Sequence, residues 1–208
     1  MTSIPSHHTA PDAAGVGDWL KALDGVPVAV ISDNLDRLPG PVGLRPFHRA
    51  GAMLGVALTV RTRAGDNLAV HQALDRLRPG DVLVVDGGGD GTRALVGEII
   101  KAIAESRGCA GFVIDGAIRD SAAFAASGFP CFARAVSHRG PYKSGPGQIN
   151  VPVSIGGCVI EPGMIVAGDE DGVVAFHPHL APNLLADVSA QLAREQETMQ
   201  AIRDGVYR

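Results

Sequence analysis

The chain is poor in aromatic residues and in clustered positive charge. Phenylalanine, tyrosine and tryptophan together make up 4% of its 208 residues, and its formal net charge is −4, without any block of lysine or arginine. Proteins that bind nucleic acid present clustered basic residues to the phosphates and, for single strands, aromatic rings to the bases. These shortages predict that nucleic acid is not a partner.

Cysteine and long apolar segments are also scarce. The three cysteines, Cys109, Cys131 and Cys158, are far apart and lack CxxC spacing, which favours reduced core thiols over a disulfide framework or a zinc site. No apolar run reaches the roughly 18 residues that a membrane helix needs, and the polar start MTSIPSHHTAPD is not typical of a signal peptide. We therefore expect no membrane partner and a cytoplasmic location.

Apolar material, by contrast, is plentiful. Hydrophobic residues make up 46% of the chain and charged residues 19%, so a large core is expected, with some surface buried between subunits. The length fits one large domain better than two. We expect residues 1–15 to form a flexible tail, in which His7 and His8 are solvated, and residues 16–208 to form a single domain that ends in a helix.

Strand and helix patterns alternate along the chain, which predicts a largely parallel αβ layer. In chain order we predict a helix at 16–23, a helical turn within 28–38 that Ser32 or Asp33 caps, a strand at 51–63, a helix at 66–77 capped by Asp66, a strand at 82–86, a glycine loop at 87–91, a helix at 94–106, a strand at 111–115, a turn at 116–117, a short helix that ends at 127, and a strand at 129–137. A loop at 139–150 then leads to short strands at 151–155, 159–160, 164–167 and 172–176, and to a polar amphipathic helix at 180–205.

The glycine run Asp86-Gly87-Gly88-Gly89-Asp90-Gly91 leads from a predicted strand into a predicted helix. Backbone N–H groups at such a junction attract anions. The run lacks both the GxGxxG register and the GK[ST] of nucleotide-binding loops. A close approach of the backbone to a small ligand and a plain tight turn both remain open.

Two dipeptides, Gly97-Glu98 and Arg119-Asp120, are the candidate site residues. Arg119-Asp120 follows a predicted strand, at the sheet edge where αβ proteins bind ligands. A guanidinium matches a carboxylate, and an aspartate oxygen suits Mg²⁺ or Mn²⁺. The pair could equally be an ion pair in which Asp120 caps the next helix, and Glu98 could simply favour the helix dipole.

Several segments, in this order, resemble the RraA-like family: Gly80–Gly116 with Arg119-Asp120, GPGQINVPV at 145–153, Gly156-Gly157, Pro162-Gly163 and Gly168–Val174. The resemblance covers residues 27–178. The family includes the class II 4-hydroxy-4-methyl-2-oxoglutarate/4-carboxy-4-hydroxy-2-oxoadipate aldolases and the protein that inhibits ribonuclease E. The resemblance implies an α/β fold, an αββα sandwich of the swivelling-domain type, assembled as a homotrimer or homohexamer.

The resemblance also implies roles for the candidate residues. Backbone amides of Gly97-Glu98-Ile99-Ile100 would hold the pyruvyl part of a 2-oxo acid, and Arg119 would bind and polarise it. Asp120 would ligate a divalent cation, Mg²⁺ or Mn²⁺, whose remaining ligands are mostly water, and Glu98 would hydrogen-bond those waters.

These roles predict a metal-dependent carbon–carbon lyase that releases pyruvate from a 4-hydroxy-2-oxo acid, with oxaloacetate decarboxylation as a side activity. A regulator of the ribonuclease E type and a related lyase acting on another hydroxy acid are the alternatives. The N-terminal extension and the long C-terminal helix favour the enzyme, because the shorter regulators tend to lack them. Glu195 or Glu197 of that helix either reaches a neighbouring subunit's pocket or belongs to an exposed face.

Overall fold

A computed structural model describes residues 15–37 and 40–207. The helices are α1 (Val16–Leu23), α2 (Val28–Asp33), α3 (Leu68–Leu74), α4 (Glu98–Ser106), α5 (Ser121–Ala125) and α6 (Ala181–Arg203), and a 3-10 turn at Pro178–Leu180 precedes α6. The strands are β1 (Arg45–Pro46), β2 (Met53–Thr62), β3 (Asp81–Val96), β4 (Gly111–Ile118), β5 (Cys131–Val136), β6 (Gly147–Ile149), β7 (Val153–Ile155), β8 (Cys158–Ile160), β9 (Ile165–Asp169) and β10 (Gly172–Phe176). Of the tail expected at residues 1–15, residues 1–14, with His7 and His8, lie outside the described residues.

One mixed sheet of eight strands organises the fold. Its order is β1-β5-β4-β3-β2-β9-β10, and β6 also pairs with β2. Strands β2 to β5 run parallel, as the alternation of strand and helix predicts, and the other pairs are antiparallel. Because β2, β3 and β4 point the same way, the segments that leave them share one edge of the sheet: α3 follows β2, α4 follows β3 and Arg119 follows β4.

The described helices pack on one face of the sheet, and a ribbon of β7 and β8 packs on the other. On β2, Leu58 and Val60 belong to the cluster under α3, α4 and α5, and Leu54, which points the same way, packs with the cluster under α1, α2 and α6. Ala57 points the opposite way, into the cluster that contains Val153 of the ribbon. The predicted α/β class is confirmed.

The glycine-rich segment lies inside a strand, so the predicted loop is wrong. β3 runs through it from Asp81 to Val96, and Gly88 and Gly89 take φ angles of 68° and 71°. The pairing of β3 with β4 shifts register within this segment, which places the additional residues in bulges. Helix α4 therefore begins at Glu98 rather than at residue 94, and the glycines do not open a helix.

Strand β4 continues through the turn predicted at 116–117 and ends at Ile118. Every residue of this strand is buried, and Ala117 pairs with β3 on one side and β5 on the other. This central position overrides the local turn signal. Arg119 is consequently the first residue beyond the strand.

Two predicted helix starts have different outcomes. Ser32 and Asp33 lie in the last turn of α2, so neither caps its start as predicted. Asp66 accepts a hydrogen bond from the backbone N–H of Leu68 at 2.9 Å, so its predicted position at the start of α3 is confirmed. α3 itself ends at Leu74, three residues before the predicted end.

The cysteines are free. Cys109 and Cys131 are buried, and burial raises the pKa of Cys109 to about 11 and also raises the pKa of Cys131. These two thiols are therefore protonated and unreactive at neutral pH. The prediction of reduced core thiols is confirmed for them, and Cys158 is half-buried.

Helix α6 matches the predicted C-terminal helix within two residues at each end. Its first half is anchored, because Leu184 and Val188 are buried against α1 and α2. Farther along, Gln191 Oε1 accepts a hydrogen bond from Asn34 Nδ2 at 2.7 Å. No helix in the described parts of the chain combines the length and apolar character needed to cross a membrane.

Candidate functional site

A helix start, a guanidinium and a carboxylate meet at the edge of the sheet. The backbone N–H of Glu98 donates to Asp120 Oδ2 at 3.0 Å, and Arg119 Nε lies 3.6 Å from the same oxygen. The N–H of Arg119 donates to the carbonyl of Val96 at 3.0 Å, which ties the segment after β4 to the end of β3. The structure therefore brings together the two dipeptides that the sequence singled out.

Gly97 leaves no room for a side chain at this junction. A Cβ atom there would lie 2.5 Å from Asp120 Oδ2 and 2.9 Å from Arg119 Cγ. Its φ of −152° and ψ of −166° describe extended backbone that any residue adopts. Glycine is thus required for space, because Arg119 and Asp120 pack directly on the start of α4.

Asp120 has a left-handed backbone conformation, with φ 54° and ψ 38°. Aspartate and asparagine adopt this conformation more readily than most residues. Asp120 immediately precedes α5, but its side chain forms no capping hydrogen bond to that helix. The alternative in which Asp120 caps the following helix is therefore wrong: its carboxylate binds the start of α4 instead.

A cavity of about 360 Å³ opens beside this group. Its lining consists of Ala94, Leu95, Val96, Gly97, Ile99, Ile100, Arg119, Asn67, His71, Gly140, Pro141 and Lys143. The guanidinium of Arg119 also approaches the far side, since its Nη1 lies 3.5 Å from where a Cβ of Gly140 would be. The volume suits a small organic molecule rather than a polymer.

Most of the predicted substrate-binding residues line this cavity: Gly97, Ile99, Ile100 and Arg119 do so, whereas the exposed side chain of Glu98 does not. The first N–H groups of a helix have no acceptor within the helix, and the helix dipole adds partial positive charge there. Together with the guanidinium, this arrangement favours a small anion.

The surroundings of Asp120 fit a hydrated divalent cation. Its Oδ2 accepts the N–H of Glu98, its Oδ1 takes no hydrogen bond from residues 15–37 or 40–207, and the side chain is 43% exposed. Over the same residues, no three His, Cys, Asp or Glu side chains cluster as a metal site. Mg²⁺ usually keeps several waters and binds through one or two carboxylates, so a single accessible aspartate suits it.

Three polar residues of the cavity carry no sequence signal of their own: Asn67, His71 and Lys143. Burial, and then the nearby charge of Lys143, lowers the pKa of His71, so the imidazole is neutral at pH 7. Lys143 is far from the other two in sequence, and no spacing motif connects them. On this side of the site, the only residue that the sequence singled out was Asp66, which was predicted to cap a helix.

Asp66 fixes the segment that carries Lys143. Its fully buried carboxylate accepts backbone N–H groups from Ser144 at 2.8 Å and Gly145 at 2.9 Å, and Arg63 Nη2 lies 3.3 Å away. Burial by itself raises the pKa of Asp66, but these donors together lower it below its ordinary value. The buried anion therefore joins the start of α3 to the segment at 142–145.

The sequence matches known proteins over most of its length. A family model described as RraA-like, Aldolase/RraA, matches residues 28–175. The chain is 40% identical over 190 residues to a Halalkalibacterium halodurans protein named "Putative 4-hydroxy-4-methyl-2-oxoglutarate aldolase", with 91% of the chain and 90% of that protein covered.

Two solved structures share the fold. Streptomyces coelicolor RraAS2, described as an unusual member of the RNase ES inhibitor RraA protein family, has a TM-score of 0.82 and 25% identity, with 93% of this chain and 99% of that chain covered. The RNA-processing inhibitor RraA from Thermus thermophilis has a TM-score of 0.67 and 30% identity, with 72% of this chain and 92% of that chain covered. The RraA-type fold that the resemblance implied is confirmed. RraAS2 matches almost the full length of this chain, so length by itself does not exclude a regulator, whereas the Thermus RraA matches only 72% of it, in line with the expectation that regulators tend to be shorter.

Proposed function

Because the chain belongs to the RraA-like, Aldolase/RraA family, we propose that it is a divalent-metal-dependent aldolase. Its reaction is the cleavage of 4-hydroxy-4-methyl-2-oxoglutarate or 4-carboxy-4-hydroxy-2-oxoadipate to pyruvate and a second oxo acid. Oxaloacetate decarboxylation accompanies it as a side activity, because both reactions pass through the enolate of pyruvate.

One observation carries the proposal: Gly97 has no space for a Cβ, because Arg119 and Asp120 lie against the start of α4. A cationic side chain, free helix N–H groups and an accessible carboxylate thus share the margin of a small cavity. These are the groups that binding of a 2-oxo acid beside a cation requires.

Binding of the substrate follows from these positions. The carboxylate of the 2-oxo acid accepts hydrogen bonds from the free N–H groups at the start of α4. The guanidinium of Arg119 donates to the oxo oxygen and polarises the carbonyl. The backbone of Arg119 is held by its N–H bond to Val96, and its Nε lies 3.6 Å from Asp120 Oδ2, which positions the guanidinium for the charge that develops on this oxygen.

Cleavage then breaks the bond between C3 and C4. A base removes the proton of the C4 hydroxyl, the C4–O electron pair forms the carbonyl of the second oxo acid, and the C3–C4 pair moves into the enolate of pyruvate. Arg119 stabilises the enolate oxygen, and protonation at C3 by water completes pyruvate. In oxaloacetate the same bond breaks with loss of CO₂, and no hydroxyl proton is involved.

Asp120 would hold Mg²⁺ or Mn²⁺ through its free Oδ1, and the bound ion would supply Lewis-acid polarisation of the oxo acid. The exposed carboxylate of Glu98, next in the chain to Gly97, is suited to hold a water as proton donor or acceptor. These two carboxylates therefore have different roles, one for the cation and one for proton transfer.

The direct test is pyruvate release from 4-hydroxy-4-methyl-2-oxoglutarate and from oxaloacetate, with Mg²⁺ or Mn²⁺ and with EDTA. We expect EDTA to abolish both activities and Asp120→Ala to remove the response to added metal. If neither substrate gives an EDTA-sensitive signal, the aldolase proposal fails. If Asp120→Ala leaves the metal titration unchanged, the assignment of Asp120 as the metal ligand is wrong.

A regulator of the ribonuclease E type is the second candidate, and the full-length similarity to RraAS2 favours it. The higher identity, 40% over 91% of the chain, is to a protein named as an aldolase, which favours the enzyme. Adding the purified chain to a ribonuclease E cleavage assay distinguishes the two: inhibition without pyruvate release would support the regulator.

We further propose that the chain is cytoplasmic and assembles as a homotrimer or homohexamer. Ile99, at the margin of the cavity, is 70% exposed, and an apolar side chain in this position gains from being covered by a neighbouring subunit. Glu195 is exposed and bonds only Gln191 among the described residues, so it is available to such a neighbour, as is the exposed Glu197. Light scattering of the purified chain measures the assembly directly, and a monomeric mass would contradict the proposal.

A further inference from the structure

Residues 137–145, which we call the crossing segment, run over the edge of the sheet where the candidate site lies. The segment connects β5 to β6, and β6 pairs with β2, so it crosses β4 and β3, which lie between these strands. Near its start, the carbonyl of Arg139 accepts the N–H of Ala94 at 2.9 Å. At its end, the carboxylate of Asp66 accepts the N–H of Gly145 at 2.9 Å. Both ends of the segment are therefore anchored to the sheet and to the start of α3.

The middle of the crossing segment, Gly140-Pro141, is the part near Arg119 that lines the cavity. The carbonyl of Gly140 accepts a hydrogen bond from Arg93 Nη1 at 2.9 Å. Gly140 and Pro141 make no other hydrogen bond to residues 15–37 or 40–207. The position of this stretch of the cavity wall thus depends on Arg93.

Arg93 is itself held in a slot. Its guanidinium carbon lies 4.2 Å from the centroid of the Tyr142 ring, and its Nη2 donates to the Tyr142 hydroxyl at 3.0 Å. The stem packs on the backbone of Gly65, where a Cβ would lie 2.9 Å from Arg93 Cδ. The N–H of Tyr142 donates to the carbonyl of Gly65 at 2.8 Å, which holds the two sides of the slot together. A planar, forked cation suits these contacts, and a lysine does not.

The other neighbour of Gly140 is Arg119. The Nη1 of Arg119 lies 3.5 Å from the position that a Cβ of Gly140 would take, and its Nε lies 3.6 Å from Asp120 Oδ2. The side chain of Arg119 is 44% exposed. A long, exposed side chain has many rotamers, and its neighbours select among them. Gly140 and Asp120 are such neighbours on two parts of the guanidinium.

We propose that Arg93 is a positioning residue for the lyase reaction, which holds Gly140 and thereby keeps the guanidinium of Arg119 directed at the substrate. This rests on the proposed function, in which Arg119 stabilises the enolate oxygen. Within the described part of the chain, Arg93 does not line the cavity, so it acts through Gly140 and does not touch the substrate.

A displaced guanidinium affects the enolate more than the substrate, because the negative charge on the oxygen develops only as the bond breaks. Arg93→Ala is therefore expected to lower kcat by about tenfold to a hundredfold, while KM stays within about twofold. Oxalate has the planar shape and charge of the pyruvate enolate. Its inhibition constant should rise in proportion to the loss of kcat, and the affinity for pyruvate, measured by calorimetry with Mg²⁺, should stay nearly constant.

Arg37→Ala is the matched control, because it makes the same change at a side chain that is 77% exposed and pairs with Asp33. It is expected to keep kcat and the inhibition by oxalate. Should Arg93→Ala fail to fold, Arg93→Lys replaces it, since lysine keeps the charge and the stem and lacks the fork. The same division between kcat and KM is expected there.

Free guanidinium ion gives a second reading. The slot between Gly65 and Tyr142 in Arg93→Ala has room for this ion, which can donate to the carbonyl of Gly140 as the side chain did. Millimolar guanidinium, far below the molar concentrations that unfold proteins, is expected to restore part of kcat. Ammonium, a cation without the fork, should not, and neither ion should activate the unmodified protein.

Three results would overturn the role of Arg93: an unchanged kcat in the variant, equal weakening of oxalate and pyruvate, or a rescue in which ammonium matches guanidinium. Each of these leaves the aldolase proposal standing as long as the unmodified protein releases pyruvate. An unmodified protein that releases no pyruvate would overturn both.

Discussion

Gly97→Ala changes the candidate site by a single methyl group. The backbone at this position is extended and accepts alanine without strain. The added Cβ would meet Asp120 Oδ2 at 2.5 Å, whereas ordinary contacts begin at 3.4 Å. The variant therefore acts on the positions of two side chains and leaves the fold and the chemical groups intact.

The magnitude follows from this geometry. Asp120 has to move by about 1 Å to reach an ordinary contact, and Arg119 Cγ, at 2.9 Å from the added atom, also has to shift. A displacement of this size in a catalytic arrangement lowers the rate by about a hundredfold. The stability loss stays near 1 kcal/mol or less, because both side chains are more than 40% exposed and the displaced pair is screened by solvent.

Steady-state pyruvate release and urea unfolding together measure the two effects. Gly17→Ala is the matched control, since a Cβ at Gly17 meets nothing within 4 Å, and we expect it to keep full activity. Wild-type kcat/KM in Gly97→Ala would refute the assignment of the site. A large stability loss in parallel with the activity loss would mean that the contact supports the fold rather than the reaction.

Two other substitutions test the guanidinium and the buried carboxylate. Arg119→Ala should remove about 3–4 kcal/mol of transition-state stabilisation, measured as kcat/KM, as for the loss of an oxyanion donor; full turnover would place the site elsewhere. Asp66→Asn should lower the free energy of unfolding at pH 7 by about 2–3 kcal/mol, because buried N–H donors lose a charged acceptor, while Asp75→Asn, at a side chain that is 77% exposed, serves as control. Since the folded-state pKa of Asp66 is lowered, its contribution is present above the unfolded pKa of about 3.9 and is lost as pH falls through the folded value. The difference in the free energy of unfolding between the unmodified protein and Asp66→Asn should therefore become smaller below about pH 4. A difference that does not change with pH would contradict this account.

Local sequence patterns correctly predicted the helices and strands whose conformation depends mainly on their own residues. Helix α1 and strand β10 have the predicted bounds, and the two-residue turn Glu170-Asp171 joins β9 to β10 as a hairpin. In these segments periodicity and turn chemistry agree, so no distant contact is needed to choose between alternatives.

The glycine run of β3 could not be predicted in this way. Glycine weakens a strand and often marks a bulge or a bend, yet β3 continues past the glycines because Asp90, Ala94 and Val96 still pair with buried residues of β4. Pairing between distant strands overrode the local signal. The position of Gly97 at the start of α4 depends on the same pairing of β3 with β4, since the helix starts only where that pairing ends.

One side of the candidate site was predictable and the other was not. Gly97 and Arg119 each follow a strand and are close in sequence, so strand order alone places them together. His71 and Lys143 are 72 residues apart, and the hydrogen bonds of Asp66 bring them into one cavity. Such contacts depend on backbone N–H groups, which carry no residue type and leave no pattern in the sequence.

The left-handed bend at Asp120 limits which acid can occupy this position at all. Aspartate, asparagine and glycine tolerate the bend, whereas glutamate, with the same charge and a longer reach, does not favour it. Substitution by asparagine thus isolates the effect of charge, and substitution by glycine isolates the effect of the side chain, with the bend preserved in both. A homologue that has lost the carboxylate is therefore expected to carry asparagine or glycine at this position. The residue type at this bend thus separates relatives that kept the acid from those that lost it.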